Sequence, residues 1–142
     1  MAGDTRSYAL DVSELLFRLS TESLRLRSND TLRFETVASL VNARVEKLPL
    51  THLDAVDVRA HFDVVESKGP VRVHVTLPRS CADLLIEEKR RFAKLLDRSL
   101  TMADMISILF FDFVAEHHSK RILGKIGMDE GASGQDKPTS VT

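Results

Sequence analysis

Arg72, His74 and Thr76 occupy alternate positions of the run Val71-Arg72-Val73-His74-Val75-Thr76-Leu77-Pro78. Each of these side chains can hydrogen-bond to a base edge if its strand is laid in a DNA groove, and arginine can grip guanine O6 and N7 with two donors at once. The intervening residues Val71, Val73, Val75 and Leu77 are apolar, so the period of two predicts a strand with one buried and one polar face. No other constellation in the chain points to chemistry as directly. There is no glycine-rich phosphate loop, no His-Glu-x-x-His helix, no nucleophile elbow and no cysteine placed with a histidine and an acid. No catalytic residue is assigned, and no cofactor is expected. His117 and His118 are adjacent, which points them about 100° apart on a helix. His61 and His74 lack a cysteine or carboxylate at ligand spacing, so no metal site is expected either.

The elements that must position the polar row read as mainly helical. Asp11 or Ser13 can cap a first helix whose apolar positions are Leu15, Leu16, Leu19 and Leu26, with Ser23 as an interruption. A second, from about Thr31, carries Phe34, Val37, Ala38, Val41, Val45 and Leu48 and stops at Pro49. Residues 56–64 alternate, and Glu66-Ser67-Lys68-Gly69 is a good turn, which predicts a β-hairpin of 56–64 with 71–77. A helix follows from Arg79 to about Arg98 with Leu84, Leu85, Phe92, Leu95 and Leu96 as its apolar stripe, and Glu87–Arg91 as a solvated charged face. Thr101 and Asp104 then form the start of a last helix with Met102, Met105, Leu109, Phe110 and Phe113 on its main face.

Composition sets the limits. At 142 residues, 43% hydrophobic and 29% charged, the chain has the balance of a soluble globular protein. One cysteine, Cys81, rules out an internal disulfide framework, and the opening residues carry no apolar signal segment, so a reducing cytoplasm is expected. Net charge is −1 overall, but residues 71–125 hold 10 Lys/Arg against 7 Asp/Glu, which makes the segment around the polar row the basic part.

This segment resembles the ribbon-helix-helix family of DNA-binding proteins, the Arc and methionine repressor type. The resemblance lies in the strand ending Leu77-Pro78, the helix after it, and the turn Ser99-Leu100-Thr101 leading to Asp104 and Met105-Ile106. Ser99 stands where the family usually has glycine, and the first helix is longer than usual. The resemblance implies that two strands pair into a ribbon that enters the major groove of double-stranded DNA, with Arg72, His74 and Thr76 on bases. It further implies that Arg79, Arg98 and the helix start at Thr101 and Met102 contact phosphate. Such a module implies a homodimer. Alternatively, Tyr8, Leu10 and Val12 alternate ahead of two helices, so residues 7–48 also read strand-helix-helix and would make a tandem pseudo-dimer in one chain, with Asp11 pointing outward.

The sequence therefore predicts an α+β protein in three parts. These are a helical N-terminal region over 1–55, in which a degenerate second unit is the alternative, a ribbon-helix-helix-like DNA-binding region over 56–125, and a disordered tail over 126–142. The expected role is sequence-specific DNA binding, as a transcriptional repressor or an accessory factor in plasmid maintenance or DNA transfer. The competing expectation is a protein-interaction domain with an internal hairpin and no DNA.

Overall fold

The computed structural model describes residues 3–125; the tail predicted over 126–142 lies outside the described residues. The described residues fall into two units, 3–111 and 112–125. The first unit begins with a strand, β1 (Thr5–Val12), followed by α1 (Glu14–Thr31) and α2 (Val37–Arg44), the latter extended by a 3-10 turn at Val45–Lys47. Next come α3 (Ala55–Val64), β2 (Val71–Pro78), α4 (Arg79–Leu96) and the start of α5 (Met102–Lys125). The described part of the second unit is the remainder of α5, where Glu116 and Lys120 pair at 3.2 Å. No helix among the described residues is long and apolar enough to cross a membrane.

The sheet consists of β1 and β2, paired antiparallel from Thr5 opposite Pro78 to Val12 opposite Val71. The predicted hairpin is not formed. Residues 55–64 are helical because Asp54 and Asp57 cap each other's backbone N–H groups, at 2.8 and 3.2 Å. The alternation at Val56, Val58 and Val64 does not mark a buried face, since Val56 and Val64 are each 72% exposed. β2 instead takes its partner from the start of the chain. That pairing is closed at Gly69, whose N–H donates to Asp11 O at 3.2 Å, with Ser13 N–H donating to Ser67 O at 2.9 Å. A Cβ on Gly69 would lie 2.4 Å from Ser13 Cα, so only glycine fits this approach.

Local chemistry repeats at a fixed offset. α1 and α4 are each 18 residues long and each ends on a left-handed residue, Leu32 with φ 58° and Asp97 with φ 54°. The residues before the two helices (Ser13, Pro78), the left-handed residues (Leu32, Asp97) and the hydroxyls heading the next helices (Thr36, Thr101) are all 65 positions apart. Thr36 caps Ser39 N–H at 3.0 Å, as Thr101 caps Asp104 N–H at 3.1 Å. The chain thus runs strand-helix-helix twice, with α3 in the connection.

The core of the first unit lies beneath the ribbon. Val75 and Leu77 of β2, Leu16 of α1, Leu40 and Val41 of α2, Leu85 and Phe92 of α4, and Met105, Ile108, Leu109 and Phe110 of α5 are all buried. Two stripes differ from expectation. On α4 the buried row is Cys81, Ala82, Leu85, Glu88, Phe92 and Leu96, while Leu84 and Leu95 are exposed. On α1, Ser23 is fully buried with its hydroxyl on Leu19 O at 2.7 Å, and Leu15 is exposed. Phe34, expected on a helix face, lies in the α1–α2 turn and is fully exposed.

Glu88 belongs to the predicted solvated run but is buried, and it holds the connection against α4. Its carboxylate accepts from Leu50 N–H at 2.8 Å and from the Arg91 guanidinium at 2.8 Å. Burial works to raise the Glu88 pKa, yet Arg91 and the Leu50 N–H outweigh it and keep the carboxyl below its ordinary value.

Candidate nucleic-acid interface

Because both strands alternate, their apolar residues turn together toward the core and their polar residues form one outward face. The register sets Ser7 opposite Thr76, Ala9 opposite His74, and Asp11 opposite Arg72. All six residues are exposed. The predicted base-contact residues Arg72, His74 and Thr76 are therefore brought together on one face. The structure adds three residues that the strand alone does not reveal: Ser7, Ala9 and Asp11.

Each end of this face carries a different bonded pair. The Arg72 guanidinium donates through Nε to Asp11 Oδ1 at 2.6 Å and through Nη2 to Asp11 Oδ2 at 3.3 Å, and the carboxylate raises the pKa of the arginine further. Four residues along, the Ser7 and Thr76 hydroxyls lie 2.9 Å apart. Between them stands His74, facing the small Ala9. These two are themselves 65 positions apart, so an approximate two-fold axis of the ribbon passes between them.

The predicted phosphate contacts fall into two places. Arg79 continues from the Pro78 end of the ribbon and is tied to Asp4, both through its guanidinium at 3.3 Å and through its backbone N–H at 3.0 Å. Arg98, Thr101 and Met102 lie at the α4–α5 turn. Arg98 sits 5.0 Å above the Phe62 ring of α3. Thr101 is engaged with Asp104 in reciprocal caps of 2.8 and 3.1 Å, and the Met102 side chain is buried. An open hollow joins this turn to the ribbon, lined in part by Ala9, Asp11, Lys68, Arg98, Thr101 and Asp104. Its charges are mixed: Asp11, Glu66 and Asp104 against Lys68 and Arg98. The left-handed residue of this turn is Asp97, two residues before Ser99.

His61, which sequence placed across a hairpin from His74, is on α3 and points into the core. Its Nε2 lies 2.6 Å from Ser107 Oγ, with the Phe111 ring centroid 4.5 Å away, and burial lowers its pKa. No group of three or more His, Cys, Asp or Glu side chains that could hold a metal ion occurs among the described residues. Cys81 is buried, and desolvation raises its thiol pKa, which makes it a poor nucleophile.

Comparison with protein-family models, with curated proteins and with solved structures finds no match to this chain.

Proposed function

We propose that the chain binds double-stranded DNA as a tandem ribbon-helix-helix-like unit, with the β1–β2 ribbon in the major groove. The observation that carries this reading is the polar outer face of a two-stranded ribbon whose strands each lead into a helix pair at the same 65-residue offset. A two-stranded ribbon fits the major groove, which is about 12 Å wide. Arg72, His74 and Thr76 contact base edges from one strand and Ser7 from the other, with Asp11 holding the Arg72 guanidinium in place. Arg79 and Arg98 supply phosphate contacts, with the Met102 N–H at the start of α5; the Thr101 N–H is already bonded to Asp104. One chain supplies both strands, so one chain occupies one site, in place of the homodimer that a single unit would need. A module of this kind acts by occupying its site, as a repressor or as an accessory factor in plasmid maintenance or DNA transfer, and a cytoplasmic location accompanies that role.

The test is fluorescence anisotropy of a labelled duplex titrated with the protein at low salt, followed by addition of salt, with molar mass measured by light scattering. Binding at one chain per duplex that weakens steeply with salt is expected, because phosphate contacts release condensed counterions. The Arg72→Ala variant should lose base preference while keeping its fold. A protein that ignores duplex at low salt would sink the proposal and redirect attention to a protein partner for the ribbon face.

A further inference from the structure

The two halves of the outward face are chemically unlike, and this decides what kind of site the ribbon reads. In a ribbon made from two identical chains, both ends carry the same residues, and the preferred DNA is palindromic. Here the approximate two-fold axis passes between Ala9 and His74, and the residues it would exchange do not match. One end presents the Asp11–Arg72 ion pair, and the other presents the Ser7–Thr76 hydroxyl pair.

We infer that, within the DNA-binding reading above, the target is a non-palindromic duplex. The Arg72–Asp11 end fixes a guanine in one half-site, and the Ser7–Thr76 end leaves the other half-site loosely specified. The guanidinium has five N–H donors in a planar fork. Asp11 engages Nε and Nη2, which leaves the Nη1–Nη2 edge for the O6 and N7 acceptors of guanine. The ion pair therefore orients the arginine without consuming its base-reading edge, and Asp11 acts as a positioning residue. At the opposite end, a hydroxyl donates or accepts with equal ease, so Ser7 and Thr76 tolerate either partner. Four residues of strand separate the two pairs, about 13 Å, which is about four base-pair steps. At the centre, the small Ala9 leaves His74 as the larger side chain of its pair.

The experiment is selection of preferred duplexes from a randomised pool with the full chain. Each base pair of the winning site is then substituted, and affinity is measured by anisotropy. The expected site has one half in which replacing a G·C pair costs about 10- to 100-fold in affinity, and another half in which all substitutions cost much less. Arg72→Ala should flatten the penalty in the first half alone. Asp11→Ala should reduce it, and Asp11→Glu should restore part of it. Ser7→Ala and Thr76→Ala should leave it unchanged. A purely structural role for Asp11 would lower affinity for all sequences alike and would not shift the base preference at one position. A palindromic winner with equal penalties in both halves overturns the asymmetry while leaving DNA recognition standing. A pool that yields no enrichment, from a protein without salt-sensitive duplex binding, overturns both.

Discussion

At the scale of the residue, the groups hardest to place from sequence carry the clearest consequences. Glu88 lies within a run of five charged residues, where solvent is the default surrounding, yet it is buried against Arg91 and the Leu50 N–H. Removing the carboxylate by Glu88→Ala leaves a buried donor unpaired and should cost about 2 kcal/mol in urea denaturation. Because the folded-state pKa of Glu88 is depressed, its contribution is full above the ordinary carboxylate range and is lost as pH falls through the lower folded value. His61 is the opposite case. Burial lowers its folded pKa, so below the ordinary value of about 6.5 the unfolded chain binds a proton that the folded chain does not. Stability should therefore fall as pH drops from 7.5 toward 5.5. In His61→Phe that part of the slope should vanish; an unchanged slope would show that the sensitivity arises elsewhere.

At the scale of the element, the left-handed residue ending α1 offers a direct test of backbone strain. Leu32 has φ 58° and is 88% exposed, so replacing it with glycine forfeits little packing and relieves the clash of a Cβ in this conformation. Leu32→Gly should raise stability by about 0.5–1 kcal/mol after the entropic penalty of glycine, seen as a melting point several degrees higher. This scale also shows what the sequence could reveal. The strand at 71–78, the helix from Arg79 and the Thr101–Asp104 caps were legible, because alternation and capping are local signals. The helix at 55–64 was not, because its valines also fit a period of two, and the reciprocal Asp54–Asp57 caps that settle the matter straddle the start of the run read as a strand. The partner of β2 was only half legible. Tyr8, Leu10 and Val12 alternate, and Asp11 does point outward, but an outward aspartate looks unfavourable until its Arg72 partner comes into view across the ribbon. Pairing over more than sixty residues of chain leaves no local trace.

At the scale of the whole molecule, the pairing of β1 with β2 inside one chain separates ribbon formation from association. A ribbon shared between two chains would be stabilised by mass action, and its melting temperature would climb with protein concentration. Here the melting temperature should stay constant over a hundredfold range of concentration, measured by circular dichroism; a systematic rise would mean that a second copy completes the fold. The connection between the two strand-helix-helix segments also breaks their equivalence. The Leu50 N–H is bonded to Glu88 on α4, and α3 reaches the α4–α5 turn through Arg59 to Leu96 O at 3.3 Å and Phe62 beneath Arg98. On α1, Leu15 and Phe17 stay 51% and 43% exposed.

The approach of Gly69 to Ser13, which closes the ribbon within a single chain, bears on how the protein responds to its own abundance. When a two-chain ribbon is scarce, halving the number of chains leaves only about a quarter of the assembled species, since assembly depends on the square of concentration. A ribbon completed within one chain falls only in proportion. A cell holding a handful of copies would keep every one competent, and its response to dosage would be linear, with no threshold below which the surface ceases to exist.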